Sequence, residues 1–92
     1  MAVRILTLCG AGIGTSEILR VTARRALARL GIEAEVVATD VEHVAELAED
    51  AQVILATAEH VAAVGRSYAQ VIVVRNILDQ AELEAALADA LD

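Results

Sequence analysis

The fold is decided close to the amino terminus, where residues 3–16 read VRILTLCGAGIGTS. Val3–Leu8 is a short β-branched and leucine-rich run that stops at a cluster of glycines, a pattern typical of a buried strand. Over residues 15–30, apolar side chains recur at helical spacing, and Gly31 is a natural helix stop. The sequence therefore predicts a strand that passes through a glycine-rich loop into an amphipathic helix.

The remainder of the chain repeats this alternation of strands and helices. Further strands are predicted over residues 32–38, 52–56 and 71–75. Helices or turns are predicted over residues 40–49, 59–65 and 79–91, the last with Asp79 as its N-cap. Alternating elements indicate parallel strands joined by right-handed crossovers. We therefore expect one domain over residues 1–92, with an α/β fold of the flavodoxin-like kind: a four-stranded parallel open sheet with helices on both faces.

The composition narrows the class of protein. Hydrophobic residues make up 58% of the chain and Tyr68 is its single aromatic residue, so the core is expected to be aliphatic. The longest apolar runs have four residues, whereas a helix needs roughly 20 to span a bilayer. The amino terminus lacks the pattern of a secretion signal, and one cysteine cannot form an internal disulfide. We expect a cytoplasmic protein without membrane insertion.

The charge is unevenly distributed. The net charge of −7 argues against nucleic acid as a partner, because phosphate backbones select basic surfaces. Residues 1–30 nevertheless carry a net charge of +4, and residues 31–92 carry −11. The positive charge is therefore concentrated around the glycine-rich loop and the helix that follows it.

The loop reads Cys9-Gly10-Ala11-Gly12-Ile13-Gly14-Thr15-Ser16. Its alternating glycines let successive backbone N–H groups converge on one point, and the next helix directs its positive end there. These surroundings are expected to lower the pKa of the Cys9 thiol, because they favour the thiolate. Thr15 and Ser16 add hydroxyls that can bind the thiolate or a phosphate oxygen. We predict an anion site with Cys9 as its nucleophile and with no metal.

Other interpretations of the loop stay open. A tight turn around a buried, inert cysteine would need fewer glycines. A dinucleotide-binding fingerprint requires a glycine where Thr15 stands, and a nucleotide P-loop requires a lysine, which the chain lacks. A cysteine phosphatase or arsenate reductase places a phosphate-clamping arginine at the position of Thr15, whereas the nearest downstream arginine is Arg20.

The segment from Cys9 to Ser16, directly after an apolar strand, resembles the B subunit of the bacterial sugar phosphotransferase system. It is most similar to the ascorbate and galactitol branch of that system. The likeness extends over the whole chain, since members have this length and a four-stranded parallel sheet. Residues 71–76, VIVVRN, followed by Asp79, Glu82 and Leu83, are a less specific part of the same resemblance.

The resemblance implies that the chain is a phosphotransferase. Cys9 would accept a phosphoryl group from a phosphohistidine on the A subunit and pass it to a sugar or polyol bound by the membrane C subunit. The backbone from Gly10 to Ser16 would cradle the phosphate, which would be held covalently, with no other cofactor. A carrier must hold phosphate without hydrolysing it, so neutral donors suit it better than a cationic clamp. A regulatory domain, in which the phosphate is a signal, is the alternative from another class.

Three further side chains are secondary candidates for the site. His60 follows the third predicted strand and can lie beside Cys9, where it would touch the phosphate or its donor. A solvated or capping histidine is the other interpretation. The first predicted helix carries Arg20, Arg24, Arg25 and Arg29. Arg20 and Arg24 belong either to a solvated face or to a docking surface for the A or C subunit.

Overall fold

The computed structural model describes residues 3–8, 13–64 and 69–91 of the 92-residue chain. The strands are β1 Val3–Leu8, β2 Ala34–Thr39, β3 Val53–Thr57 and β4 Gln70–Val74. The helices are α1 Ile13–Leu30, α2 Val44–Leu47, α3 Val61–Val64 and α4 Gln80–Ala90. Short 3₁₀ turns, Ala48–Asp50 and Ala58–His60, follow α2 and β3. Strands and helices alternate along the chain, as the sequence predicts.

The four strands pair in parallel in the order β2-β1-β3-β4. β1 lies between β2 and β3, with Leu8 opposite Thr39 on one side and Ala56 on the other. The chain leaves β1 toward β2 and later returns to the opposite side of β1 to form β3. The carboxyl end of β1 is therefore the switch point of the sheet, which is where open α/β sheets bind their ligands.

The core is aliphatic and lies on both faces of the sheet. One cluster packs the sheet against α1 and α4 through Ile5, Val36, Val53, Leu55, Val74, Leu19, Ala23, Ala26, Leu27, Leu83 and Leu87. The other packs it against α2 and α3 through Leu6, Leu8, Ile54, Ala56, Val44 and Val64, among others. The predicted four-stranded parallel sheet with helices on both faces is confirmed. Because one face of α1 is buried along the helix, its first turn is held at the carboxyl edge of the sheet.

The second helix is shorter than its sequence pattern indicates. It was predicted to begin at Asp40, but α2 begins at Val44. The Asp40 side chain accepts the backbone N–H groups of Glu42 and His43, each at 3.0 Å, and closes a turn ahead of the helix. Short polar side chains compete with helix formation in this way. The predicted start was therefore wrong.

One carboxylate holds the connection between β4 and α4. Glu82 accepts the backbone N–H of Arg75 at 2.9 Å and that of Asn76 at 3.1 Å. The side chain of Asp79 accepts the N–H of Glu82 at 3.1 Å, which confirms Asp79 as the N-cap of α4. Asn76 in turn accepts the N–H of Leu78 at 2.9 Å. Side chains thus bind the backbone donors that leave β4 and fix its carboxyl end against α4.

Candidate functional site

The predicted anion loop begins at the switch point of the sheet. Cys9, Gly10, Ala11 and Gly12 lie outside the described residues, so the cradle that the sequence predicts for them stays a prediction. The two ends of the segment are described: β1 ends at Leu8, and α1 begins at Ile13, inside the predicted loop. Ile13, Gly14, Thr15 and Ser16 belong to the first turn of α1. Cys9 is therefore bonded to the end of a central strand, four residues ahead of a helix N-terminus.

The electrostatics of this edge suit an anion. The N-terminus of an α-helix carries partial positive charge and unsatisfied backbone N–H groups. Because α1 has 18 residues and its first turn contains no acidic residue, no carboxylate there offsets that charge. The helix N-terminus therefore faces the carboxyl edge of the sheet with its positive field intact.

Ser16 is fully buried and fixes α1 to the sheet. Its hydroxyl donates to the backbone carbonyl of Thr39 at 3.0 Å. The hydroxyl of Thr7 on β1 donates to the backbone carbonyl of Ser16, also at 3.0 Å. The sequence predicted that the Ser16 hydroxyl binds the thiolate or a phosphate oxygen. In the structure this hydroxyl donates its hydrogen to Thr39 O instead. We revise the role of the Ser16 side chain to positioning the first turn of α1, while its backbone N–H stays in the predicted cradle.

Sequence analysis missed a group of threonines at the ends of the strands. Among the described residues, three buried side-chain atoms have no hydrogen-bond partner: Thr39 Oγ1, Thr57 Oγ1 and His60 Nδ1. Thr39 is the last residue of β2, Thr57 is the last of β3, and His60 ends the turn that follows β3. Buried polar atoms without a partner are costly and uncommon. All three follow or end strands at the carboxyl edge of the sheet, and the predicted contact of His60 with the phosphate or its donor stays a prediction.

An exposed Asp–His pair lies at the carboxyl end of β2. His43 Nδ1 is 2.8 Å from Asp40 Oδ1. The hydrogen bond to Asp40 raises the pKa of His43, with help from the negative charge of the carboxylate. The same bond lowers the pKa of Asp40, together with the backbone N–H of His43. Apart from the helix predicted to start at Asp40, neither residue was assigned a role, and the geometry shows an imidazole oriented by a carboxylate at the surface.

The basic face of α1 is mostly exposed. Arg20 forms a 2.7 Å ion pair with Glu17, three residues earlier on the helix. Arg24 is exposed, and the apolar side chains of Ile18 and Val21 are also 43% and 41% exposed. This surface begins beside the first turn of α1, which makes it a neighbour of the Cys9 segment. Arg20 is already bound to a carboxylate, which argues against its serving as a phosphatase clamp.

The described residues contain neither a membrane-spanning helix nor a metal-binding cluster. The helices present there are too short or too polar to cross a bilayer. That part of the chain also holds no group of three or more His, Cys, Asp or Glu side chains arranged to bind a metal.

Comparison with known proteins gives a family and a structural relative. Residues 4–89 match the family model described as "PTS system, Lactose/Cellobiose specific IIB subunit". The structure is similar to that of the lactose-specific IIB component domain of the phosphoenolpyruvate:carbohydrate phosphotransferase system from Streptococcus pneumoniae, with a TM-score of 0.64. The two are 17% identical, over 99% of this chain and 92% of that one, so this likeness shows the flavodoxin-like fold alone. The search of curated proteins found no match.

Proposed function

Because the chain belongs to the family of lactose/cellobiose-specific IIB subunits of the phosphotransferase system, we propose that it carries a phosphoryl group on Cys9. The family makes the chain a phosphotransferase with a phosphoryl-carrier role in sugar transport. The donor that we propose is a phosphohistidine on an A subunit, and the acceptor is a sugar bound by a membrane C subunit. We place the carrier in the cytoplasm, between these two partners.

The sugar branch predicted from the sequence was wrong. The loop pattern suggested the ascorbate and galactitol branch, whereas the family model that matches is specific for lactose and cellobiose subunits, a different family. The loop is shaped by the need to bind an oxyanion at a thiolate, a need that does not depend on the sugar. It therefore carries little information about the branch.

The observation that supports Cys9 is its place in the topology. Cys9 follows Leu8, the last residue of the central strand β1, at the switch point of the sheet. The segment that it opens leads into the N-terminus of α1, which is fixed by the hydrogen bond of Ser16 to Thr39. A thiol beside a helix N-terminus is readily ionised and nucleophilic.

The proposed transfer has two steps. In the first, the Cys9 thiolate attacks the phosphorus of the phosphohistidine: the S–P bond forms, the N–P bond breaks, and the imidazole nitrogen keeps the electron pair and takes up a proton. In the second, a sugar hydroxyl attacks phosphorus and gives its proton to a base on the acceptor side. The O–P bond forms, the S–P bond breaks, and sulfur leaves as the thiolate. Between the steps we expect slow hydrolysis, because a site of neutral donors offers no cationic clamp for attack by water.

The test is phosphorylation in a reconstituted system. The protein is incubated with phosphoenolpyruvate, the general phosphotransferase proteins and a cognate A subunit, and the phosphate is located by mass spectrometry. We expect one phosphate on Cys9 in the wild type and in His43→Gln, and none in Cys9→Ser. Phosphate on a histidine, or on Cys9→Ser, would refute the proposal.

A second measurement separates a carrier from a regulatory domain. Membranes that contain the C subunit are added to the phosphorylated protein together with lactose, cellobiose or another sugar. A carrier loses its phosphate and produces sugar phosphate only when the accepted sugar is present. Retention of the phosphate with every sugar would favour the regulatory alternative.

A further inference from the structure

The two edges of the sheet differ in how they are protected against pairing with another strand. The order β2-β1-β3-β4 makes β2 and β4 the edge strands. Glu33 precedes β2, and Glu35 lies within it, with its carboxylate 3.6 Å from the side chain of Arg4 on β1. Charged side chains on an edge oppose the addition of a further strand. β4, Gln70–Val74, contains no charged residue and no proline, so its sequence offers no such protection.

The backbone of β4 has hydrogen-bonding groups on its outer side. Gln70 donates its N–H to Gln52 O at 2.9 Å, so the peptide groups of Gln70 face β3. Successive residues of a strand direct their N–H and C=O groups to opposite sides, so those of Val71 and Val73 point away from β3. Within the described ranges of the chain, no hydrogen bond reaches the backbone of Val71 or Val73 from that outer side.

The side chains along this edge are apolar. Val71 and Val73 pair with Ile54 and Ala56 of β3, which places both valines on the face of the sheet covered by α2 and α3. Val71 packs partly against that core cluster, whereas Val73 is 49% exposed. Ile72 lies on the opposite face and packs partly against the cluster beneath α1 and α4. The outer edge of β4 therefore combines free backbone groups with an exposed β-branched side chain.

A second copy of β4 is complementary to this edge. If two copies lie antiparallel with a two-fold axis at Ile72, Val71 of each copy lies opposite Val73 of the other. Both valines direct their N–H and C=O groups outward, so each of these pairs exchanges two hydrogen bonds. The two Ile72 side chains meet across the axis, and apolar β-branched pairs of this kind stabilise antiparallel strands. The exposed Val73 also gains an apolar neighbour.

We propose that the chain forms a two-fold homodimer in which β4 pairs antiparallel with β4 of a second copy. A two-fold axis makes one edge serve as both halves of the interface, which is the usual arrangement of dimers. The interface is short, so the association is weak and depends on concentration. The net charge of −7 opposes it, so added salt strengthens it.

This pairing is independent of the role of Cys9. In an antiparallel dimer the carboxyl ends of the two β1 strands point in opposite directions, so each switch point stays open to its own partners. Phosphoryl transfer therefore continues in the dimer.

Analytical ultracentrifugation of the full chain over a range of concentrations provides the first test, with a reductant present so that Cys9 cannot link two copies. We expect a monomer–dimer equilibrium that shifts toward dimer as salt is added. Val73→Lys should weaken the dimer roughly tenfold or more, because each dimer then buries two ammonium groups beside apolar side chains. Val41→Lys is the matched control: Val41 is 50% exposed and follows β2, so this variant should associate as the wild type does.

A proline variant tests the backbone bonds separately. The Val73 N–H points away from β3, so Val73→Pro removes an outward donor and leaves the pairing with β3 in place. We expect weaker association, again by roughly tenfold. Urea unfolding of dilute protein, where the monomer dominates, should show that the variant still folds cooperatively.

Cross-linking tests the register of the pairing in a Cys9→Ser background. Ile72→Cys places two thiols opposite each other across the axis, where the Cα atoms of such a pair lie about 4.5 Å apart, close enough for a disulfide. Mild oxidation should convert this variant to a covalent dimer. Gln70→Cys is the control, because two cysteines at that position would be offset by about 13 Å along the strands and should stay unlinked.

Each outcome decides the proposal. A wild-type chain that stays monomeric at every concentration and salt level overturns it. A dimer that neither Val73→Lys nor Val73→Pro weakens uses another surface and overturns it as well. Equal cross-linking of the Ile72→Cys and Gln70→Cys variants contradicts the two-fold axis at Ile72. Weaker association in both Val73 variants, together with cross-linking in Ile72→Cys alone, supports the dimer whether or not Cys9 carries phosphate.

Discussion

Ser16 on the first turn of α1 donates its hydroxyl to the carbonyl oxygen of Thr39, 3.0 Å away at the end of β2. The bond joins residues 23 positions apart in the sequence, and both are buried. It fixes the N-terminus of α1 relative to the sheet edge where the Cys9 segment begins. Together with the bond from Thr7 to Ser16 O, it helps to set the orientation of the helix field at that segment.

Replacement of Ser16 by alanine should destabilise the protein. The variant leaves the Thr39 carbonyl without its donor, and we expect the free energy of unfolding to fall by about 1–3 kcal/mol. Thr7→Val removes the adjoining bond to Ser16 O and should act in the same direction. Urea unfolding followed by circular dichroism provides the measurement. Thr22→Val, which loses only a bond within α1, is the control, and equal stability of all three variants would contradict this role for Ser16.

The carboxylate of Glu82 should contribute similarly at the carboxyl end of β4, on the opposite side of the sheet from β2. It accepts two backbone N–H groups, from Arg75 and Asn76, that would otherwise compete for water. We expect Glu82→Ala to lower the free energy of unfolding by about 1–3 kcal/mol. Glu84→Ala on the same helix loses only a side-chain contact with Gln80 and should cost less than about 0.5 kcal/mol. The two variants are compared by urea unfolding, and similar losses would show that the loop does not depend on Glu82.

The architecture was predictable because its signals are local and repeated. Strands β1 and β3 are short apolar runs bounded by polar or glycine residues, and both were placed to within one residue. The start of α2 could not be predicted from such a local signal. The Asp40 carboxylate closes a turn ahead of the helix, and the helix starts later. Periodicity does not distinguish these two uses of an aspartate.

The candidate site was predictable only in part. The glycines after Cys9 indicate an anion loop, because few other strand-to-helix loops require so many glycines. By contrast, a threonine at the end of a strand is an ordinary β residue, and only the lack of a partner distinguishes Thr57 from Thr7. The acceptor of the Ser16 hydroxyl was equally hidden, since Thr39 approaches it only through the crossover from α1 to β2.

The Asp40–His43 pair should make the local structure pH-dependent. The pKa of His43 is raised above 6.5, so its contribution is complete below that value and is lost as the pH rises through the higher pKa of the folded state. The pKa of Asp40 is lowered below 3.8, so its contribution is complete above that value and is lost as the pH falls through the lower one. The pair therefore stabilises the turn most between pH 3.8 and 6.5.

Titration of the imidazole by NMR checks this coupling. The chain has two histidines, and His43→Gln assigns the signal of His43. We expect Asp40→Asn to bring the pKa of His43 down toward 6.5, because its main stabilising partner is lost. Glu49→Gln changes a carboxylate outside the pair and should leave the pKa of His43 unchanged. An unchanged titration of His43 in Asp40→Asn would show that the pair does not persist in solution.

The arginines of α1 should accelerate the encounter with the phosphoryl donor. Arg24 is exposed, and Arg20 is held on the same surface by Glu17, close to the first turn of α1. Reversal of both to glutamate should slow phosphorylation of Cys9 by roughly tenfold at low salt, because negative charge then repels the anionic phosphoryl group of the donor. The rate is measured with limiting A subunit, and circular dichroism should show an intact fold.

The salt dependence distinguishes docking from a general effect of charge on the fold. Exposed charges interact less at high ionic strength, so the difference between the variant and the wild type should shrink as salt is added. Arg29 lies in the last turn of the same helix. Arg29→Glu therefore changes the net charge without altering the surface beside the first turn. Cys9 should be phosphorylated in this variant at nearly the wild-type rate. An unchanged rate for the double variant at low salt, or an equal loss in Arg29→Glu, would mean that the basic face of α1 is solvated surface and that the donor approaches from another side.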